Sequence, residues 1–149
     1  MSKNYTNDRL SAALENYLET IAALKKEKKY ARVSDIAKAL EVKASSVNTA
    51  INFLADNGLV IHEKYGYVDL TEKGEEIAKE VQHKHDTLYK FLNELLFVEE
   101  SVAVQEACEI EHSVSKETIK RLEKLYTLLR THFLQKESDM ENLREYLED

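Results

Sequence analysis

Apolar residues recur every three or four positions along most of the chain, which predicts a mainly helical protein. The first apolar stripe consists of Leu10, Leu14, Tyr17, Ile21 and Leu24. Proline is absent and the three glycines all lie within residues 58–74, so the strong helix breakers are confined to that window. The pattern therefore predicts helices on both sides of a short β-structured segment.

The residues before and around the glycines have the pattern of a winged helix-turn-helix. Ser34 is placed to cap a short helix, and Ser45 or Ser46 to cap a second helix that ends at Gly58. Strand-forming residues on both sides of positions 65–66 predict a two-stranded hairpin, the wing. Two short helices joined by a tight turn form the arrangement that places its second helix in the DNA major groove.

The second half of the chain reads as helical throughout. The predicted helices span residues 72–97, 102–114, 116–133 and 139–148. Thr71 and Ser115 are placed as N-caps, and residues 138–141 form a capping box. The sequence thus predicts two domains, a winged helix at 1–71 and an all-helical domain at 72–149.

Charge is distributed unevenly along the 149 residues. Residues 1–75 contain 11 basic and 11 acidic side chains, and the rest of the chain carries the whole net charge of −7. DNA binding by the first half would therefore depend on local basic clusters such as Lys25, Lys26, Lys28, Lys29 and Arg32. No apolar run is long enough to span a membrane and the first ten residues lack a signal-peptide pattern, so we expect a cytoplasmic protein.

A thiol, a carboxylate and an imidazole fall on one side of a predicted helix at Cys108, Glu111 and His112. These are three metal-ligand types, but a packed cysteine beside a solvated Glu-His pair has the same pattern. His85 lies at the margin of an apolar stripe, where histidine is more often a hydrogen-bonded core residue. The residues alone therefore leave a metal site and a packed polar cluster both open.

Several motifs, taken together, resemble the diphtheria-toxin-repressor family of metal-activated transcriptional repressors. They are Asn16-Tyr17-Leu18-Glu19-Thr20-Ile21, Ala31-Arg32-Val33-Ser34-Asp35-Ile36-Ala37, Ser45-Ser46-Val47, Leu70-Thr71 with Gly74, Lys84-His85 and Cys108-x-x-Glu111-His112. The resemblance covers nearly the whole chain, and the length is similar to that of the two-domain manganese-transport regulators. It implies a homodimer that binds palindromic operator DNA when loaded with divalent metal, in the control of iron or manganese homeostasis.

The resemblance also implies a set of metal ligands, namely Asn16, Glu19, His85, Cys108, Glu111 and His112. Position 16 carries Asp in the manganese regulators and Met in the iron regulators, whereas Cys108 matches the iron-dependent members. A thiolate shifts preference from Mn²⁺ towards Fe²⁺ and later ions, so Fe²⁺ is favoured and Mn²⁺ comes next. The family's ancillary metal site looks incomplete, because Tyr89 and Val104 occupy two of its positions.

The DNA contacts follow from the face that the recognition helix leaves exposed. With its apolar stripe buried, that helix presents Ser45, Ser46, Asn48, Thr49 and Asn52, and it contains no Lys or Arg. Base reading must then use neutral groups, since Asn pairs with adenine and the Thr methyl contacts thymine. The phosphate contacts are assigned to Arg32, Lys43 and Lys64.

Two other functions compete with that of a metal-dependent repressor. A di-iron bundle enzyme would use Glu80 with His83 and Glu109 with His112. Glu80 and His83 project away from the apolar stripe of their helix, however, and Glu109 lies on the far side of its helix from Glu111. No glycine-rich nucleophile or phosphate loop is present either, so no enzyme is predicted. The second rival is a winged-helix regulator that senses an organic ligand or an oxidant without metal, with Cys108 as a redox switch. Full operator binding in chelator would favour it.

Overall fold

The computed structural model describes residues 10–148, so the expectation about a signal peptide falls largely on residues outside the described part. The predicted fold class, a mainly helical protein with a winged helix-turn-helix, is confirmed. The chain divides into two compact units, the first reaching Val81 and the second beginning at Gln82. The functional boundary between residues 71 and 72 stays a prediction. Within residues 10–148 no helix has the length and apolar character needed to cross a membrane.

The first unit contains three helices, three short strands and the start of a fourth helix. They are α1 Ala12–Lys28, β1 Ala31–Arg32, α2 Val33–Leu40, α3 Ala44–Asp56, β2 Val60–His62, β3 Tyr67–Leu70 and α4 Glu72–Lys90. Leu18 and Ile21 of α1, Ile36 of α2 and Ile51 and Leu54 of α3 are all fully buried in one apolar cluster. This shared core holds α2 and α3 as a helix-turn-helix.

The wing is the predicted hairpin of β2 and β3, extended by a third strand that the sequence pattern did not reveal. The strand order is β1-β3-β2 and both pairings are antiparallel, with Ala31 opposite Val68 and Val60 opposite Leu70. The hairpin turn passes through Tyr65 with φ of 64°, a left-handed conformation. β1 has two residues, too few to show an alternating pattern.

The serines predicted to cap α2 and α3 do not do so. Ser34 lies inside α2, which follows directly on extended Arg32, and Ser45 and Ser46 lie in the first turn of α3 after extended Lys43. Neither helix has a side-chain cap hydrogen bond, because strand pairing and the preceding turn set where each helix begins. All three serine side chains are exposed.

Two glycines of the first unit occupy positions where a side chain would be strained or would not fit. Gly58 follows the end of α3 with φ of 71°, the left-handed position predicted for it. Gly74, in the first turn of α4, has no room for a side chain, since a Cβ there would lie 2.0 Å from the carbonyl oxygen of Leu59. The predicted N-cap of α4 is confirmed, because the Thr71 hydroxyl accepts a hydrogen bond from the Gly74 amide at 3.1 Å.

The second unit comprises the end of α4 and three further helices. These are α5 Glu100–Ile110, α6 Lys116–Leu128 and α7 Glu137–Glu148. The predicted helices 72–97 and 116–133 are each completed by one π-helical turn, Phe91–Leu95 and Leu129–Phe133. Ser115 caps α6 as predicted. The predicted capping box at residues 138–141 is not formed, because α7 begins earlier, at Glu137, and Asp139 accepts from the backbone amide of Lys136 at 3.1 Å.

Packing in the second unit centres on α4, α5 and α6. Leu88, Ala107 and Ile119, one from each helix, form its buried apolar cluster. At the other end of the unit, the Arg144 guanidinium of α7 lies 4.6 Å from the centroid of the Phe97 ring. This cation–π contact ties α7 to the loop that follows the first π-helical turn.

Candidate metal centre and nucleic-acid interface

Three of the predicted metal ligands converge in the second unit. His85, Cys108 and Glu111 offer an imidazole nitrogen, a sulfur and a carboxylate oxygen, and these atoms all lie within 4.8 Å of one another. His85 Nδ1 is 2.8 Å from Glu111 Oε2 and 3.6 Å from Cys108 Sγ. The structure thus brings together one nitrogen, one sulfur and one oxygen donor.

The local fold explains this convergence. Leu88 lies one turn after His85 on α4, and it packs with Ala107, the residue before Cys108 on α5. The small side chains of Ala103 and Ala107 are fully buried, and they allow α5 to approach its neighbours closely. Glu111 is the C-cap residue of α5 and its amide donates to the Ala107 carbonyl at 3.0 Å, which fixes its backbone beside the cluster.

The Glu111 carboxylate is the most confined group of the cluster. Its side chain has 0% exposure and lies between two imidazoles, with Oε2 facing His85 and Oε1 3.3 Å from His112 Nε2. A buried carboxylate is costly unless positive charge or strong donors compensate it. The groups near this carboxylate include two imidazoles and a thiol, all of which bind transition metals.

The donor set fits a divalent transition metal. An imidazole nitrogen, a thiolate and a carboxylate suit ions from Fe²⁺ to Zn²⁺, whereas sites for Mg²⁺ or Ca²⁺ are built from oxygen. His112, in the turn after α5, is a fourth potential ligand with 8% side-chain exposure. Cys108 is an exposed residue at the edge of this cluster. The donor groups of these four residues therefore fit a divalent transition metal ion such as Fe²⁺.

The remaining predicted ligands, Asn16 and Glu19, lie on α1 in the first unit. Asn16 is exposed and Glu19 is half-buried. Their role as ligands stays a prediction. At the positions of the family's ancillary site, Tyr89 packs against the apolar cluster of the second unit and Val104 is an exposed apolar side chain.

Two residues of the di-iron alternative, His83 and Glu109, lie at the surface. His83 Nε2 is 3.5 Å from the Glu123 carboxylate of α6, and both side chains are more than half exposed. Glu109 is exposed and accepts from the amide of Gln105 at 3.1 Å. Bundle ligands must point inward, so these contacts do not support an enzyme of that class.

The recognition helix α3 exposes the five residues assigned to base reading. Ser45, Ser46, Asn48, Thr49 and Asn52 are all exposed. The Thr49 hydroxyl donates to the carbonyl oxygen of Ser45 at 3.0 Å, so its proton is used within the helix. Because neither Ser45 nor Ser46 caps α3, both side chains stay exposed. The arrangement presents neutral hydrogen-bonding groups along one helix face.

Arg32 is held in a fixed position by two aromatic rings. Its guanidinium carbon lies 5.2 Å from the centroid of Tyr30 and 4.6 Å from that of Tyr67, and it donates to the Tyr67 hydroxyl. The two rings meet edge to face at 5.7 Å. Such stacking preorganises a guanidinium while leaving other N–H donors available for a phosphate. Neither tyrosine was singled out from the sequence.

Two lysines of the expected basic cluster are engaged in ion pairs. Lys25 lies between Asp69, with which it hydrogen-bonds, and Glu75 at 3.6 Å, and the hydrogen bond to Asp69 raises the pKa of Lys25. Lys28 is 3.1 Å from Asp35. The predicted phosphate ligands Lys43 and Lys64 are exposed. The cluster is therefore less positive than its sequence indicates.

Comparison with known proteins gives two family matches. The N-terminal DNA-binding domain of the iron dependent repressors matches residues 9–68, and their metal-binding and dimerisation domain matches residues 71–136. The helix α7 lies beyond the second match.

Individual relatives agree with these matches. An uncharacterised helix-turn-helix transcriptional regulator of Methanocaldococcus jannaschii is 39% identical over 76% of this chain and 91% of its own length. The regulator MntR of Shouchella clausii is 35% identical over 89% of this chain and 90% of its own. A solved manganese-dependent transcriptional repressor in complex with manganese superposes with a TM-score of 0.70 at 28% identity over 76% of this chain. The match spans about half of that longer chain, 52%.

The two family matches lie end to end and account for most of the chain, including α3, the wing and the His85, Cys108 and Glu111 cluster. The chain therefore belongs to the iron dependent repressor family of metal-dependent transcriptional repressors.

Proposed function

We propose that this protein is a cytoplasmic homodimeric repressor that binds palindromic operator DNA when a divalent metal ion is bound. The observation that carries the proposal is the cluster of His85, Cys108 and Glu111 around a fully buried carboxylate. Membership of a family with DNA-binding and dimerisation domains supports the DNA and the second subunit. The function proposed is regulation rather than catalysis.

The proposed ligands are His85, Cys108, Glu111 and His112 of the second unit, with Glu19 and Asn16 of α1 completing the set. A bound divalent ion supplies positive charge that compensates the Cys108 thiolate and the buried Glu111 carboxylate. Asn16 offers only a neutral amide oxygen, so we rank it as the weakest ligand. We place the functional boundary of the two domains between residues 71 and 72.

Fe²⁺ is the ion that we favour, with Mn²⁺ next. Cys108 lies close to His85 Nδ1, and a thiolate beside an imidazole suits Fe²⁺ better than Mn²⁺, which prefers oxygen ligands. The solved relative that contains manganese keeps Mn²⁺ as the alternative. Double substitution of Cys108→Glu with Asn16→Asp should raise activation by Mn²⁺ relative to Fe²⁺ in anaerobic titrations.

DNA is proposed to contact both α3 and the wing. Asn48 and Asn52 carry amides that pair with adenine edges. Arg32, preoriented by its two tyrosines, and the exposed Lys43 and Lys64 would bind phosphates. A homodimer places two such units on half-sites separated by about one helical turn or a multiple of it.

The test is DNA binding by the purified protein in chelator and then with Fe²⁺, Mn²⁺, Co²⁺ or Zn²⁺ added singly. A duplex selected from a random pool in the presence of metal serves as the operator. Metal should tighten binding by about 5- to 150-fold, the usual range of allosteric coupling. Equal binding in chelator would contradict metal activation and favour the regulator without metal.

A matched pair of variants connects this response to the cluster. Glu111→Gln removes the buried carboxylate and should abolish metal activation, whereas Glu109→Gln, two residues earlier and exposed, should not. Cobalt titration adds a direct readout, because a thiolate ligand gives a sulfur-to-cobalt charge-transfer absorption. That absorption should be absent in Cys108→Ser, and its persistence would exclude Cys108 as a ligand.

A further inference from the structure

An aromatic side chain lies on the exposed side of the recognition helix. Phe53 is 49% exposed although α3 buries three other apolar residues completely, namely Val47, Ile51 and Leu54. Phenylalanine is among the residues most often found inside proteins. The amide side chain of Asn57 donates to the Phe53 carbonyl at 2.8 Å, so this turn of α3 is hydrogen-bonded rather than frayed. Phe53 is thus an ordered apolar group with half of its surface available.

Phe53 extends an apolar strip that begins one turn earlier. It follows Thr49 by four residues, a spacing that places two side chains next to each other on a helix. The Thr49 hydroxyl donates its proton to the Ser45 carbonyl. The methyl group of Thr49 is therefore the group that can contact another molecule without breaking this hydrogen bond. Thr49 and Phe53 therefore present an apolar strip, and Asn48 and Asn52 present amides beside it.

This pairing of amides and apolar groups complements A·T base pairs. In the major groove adenine offers N7 and N6, which an Asn amide binds, and its partner thymine offers a 5-methyl group. Apolar side chains, including Phe, contact that methyl group. A helix without Lys or Arg has no group for the commonest guanine contact. The exposed face of α3 therefore matches thymine-containing steps.

We propose that Phe53 is a specificity-determining residue that packs against the 5-methyl group of a thymine in each operator half-site. The inference rests on the proposed DNA-binding function and deepens it by naming the base and the atom that are read. Phe53 carries no charge, so it contributes to sequence preference and not to the salt-dependent attraction for phosphates. Its exposure also means that truncation leaves the core of the first unit intact.

The test replaces each thymine of the selected duplex singly by deoxyuridine, which removes one methyl group and nothing else. At one position or more in each half-site, the wild-type protein should lose about fourfold in affinity, the equivalent of about 0.8 kcal/mol for one buried carbon group. In Phe53→Ala that position should become insensitive to the methyl group. The salt dependence of binding should be unchanged. Tyr146→Ala, which removes an aromatic ring 81% exposed on α7, is the control and should keep the wild-type profile.

Identical deoxyuridine profiles for the wild type and Phe53→Ala would overturn the proposal. So would a Phe53→Ala protein that no longer forms a dimer in sedimentation, because Phe53 would then contact a second copy rather than a base. Selection of the same duplex with and without metal would contradict metal activation but leave the thymine test valid. If no duplex is selected under either condition, both the proposed function and the role of Phe53 fail.

Discussion

The two units of the molecule differ in what fills their interiors. The first unit has an apolar cluster drawn from α1, α2, α3 and the sheet. Its largest fully buried side chains are all aliphatic, namely Leu18, Ile21, Ile36, Val47, Ile51 and Leu54. The second unit buries a cluster of Leu88, Ala107 and Ile119, and its largest fully buried side chain is the carboxylate Glu111.

The two units also differ in the large apolar side chains that they expose. Large apolar side chains exposed in the second unit include Leu96, Val102, Val104, Ile110, Leu125, Leu128 and Phe133. In the described part of the first unit five large apolar side chains are exposed, so the second unit exposes more of them, in keeping with the dimerisation domain that it matches. The first unit is therefore stabilised by its own apolar packing, whereas under the proposed function the second is completed by an ion and a second subunit.

The largest effect is expected from a cavity in the first unit. Ile51→Ala should cost about 2–5 kcal/mol, because Ile51 is fully buried among helices α1 to α3. Hydrogen exchange followed by mass spectrometry, which resolves each segment, should show this loss equally in metal and in chelator. Ile61→Ala, at a position 49% exposed, is the control. A loss that depended on metal would show that the first unit is not stabilised by its own packing alone.

An effect that appears only with metal is expected in the second unit. An ion at 100 times its dissociation constant stabilises a protein by about 2.7 kcal/mol. Glu111→Gln should abolish that gain in the exchange of α4 and α5, and Glu109→Gln should retain it. Protection of these helices by metal in Glu111→Gln would remove the buried carboxylate from the site.

Overpacking at Gly74 should cost about 1–3 kcal/mol. The added methyl group of Gly74→Ala would meet the backbone oxygen of Leu59, which cannot move aside as a flexible side chain can. Thermal unfolding measures the cost, with Lys73→Ala, at an exposed neighbouring position, as the control. A variant as stable as the wild type would show that α4 can shift away from Leu59.

The smallest losses of stability are expected from removing one helix cap in each unit. Thr71→Ala and Ser115→Ala should each cost about 0.5–2 kcal/mol. The cost at Thr71 should be the larger, because its hydroxyl also donates to the Gly58 carbonyl at 2.7 Å. Exchange at the starts of α4 and α6 measures each cap locally. A larger loss at Ser115 would show that this second hydrogen bond contributes little.

Sequence patterns predicted features that depend on local spacing. The apolar stripes placed the helices, Thr71 and Ser115 were identified as caps, and the spacing from Cys108 to Glu111 placed both on one side of α5. Each of these follows from contacts within a few residues. The wing hairpin belongs to the same class, because the residues around Gly66 mark its turn.

Features set by distant contacts were not predictable in the same way. Strand β1 exists because Ala31 pairs with Val68, and this pairing, rather than the Ser34 hydroxyl, fixes where α2 begins. The complete burial of Glu111 depends on how neighbouring elements pack, which the spacing of residues along the chain does not reveal. The half-exposed ring of Phe53 lies outside the buried stripe of α3, and the spacing of apolar residues does not show which of them stay exposed.

The ion pairs of Lys25 and Lys28 have a consequence for how such a protein searches a genome. Their charges are compensated by Asp69, Glu75 and Asp35, and residues 1–75 contain equal numbers of acidic and basic side chains. Affinity for random duplex depends on counterion release by uncompensated positive charge. A genome offers on the order of 10⁶–10⁹ competing sites. Under the proposed function, a DNA-binding unit with little excess positive charge would be held only briefly at each of them, which would leave more of its copies free to find the operator.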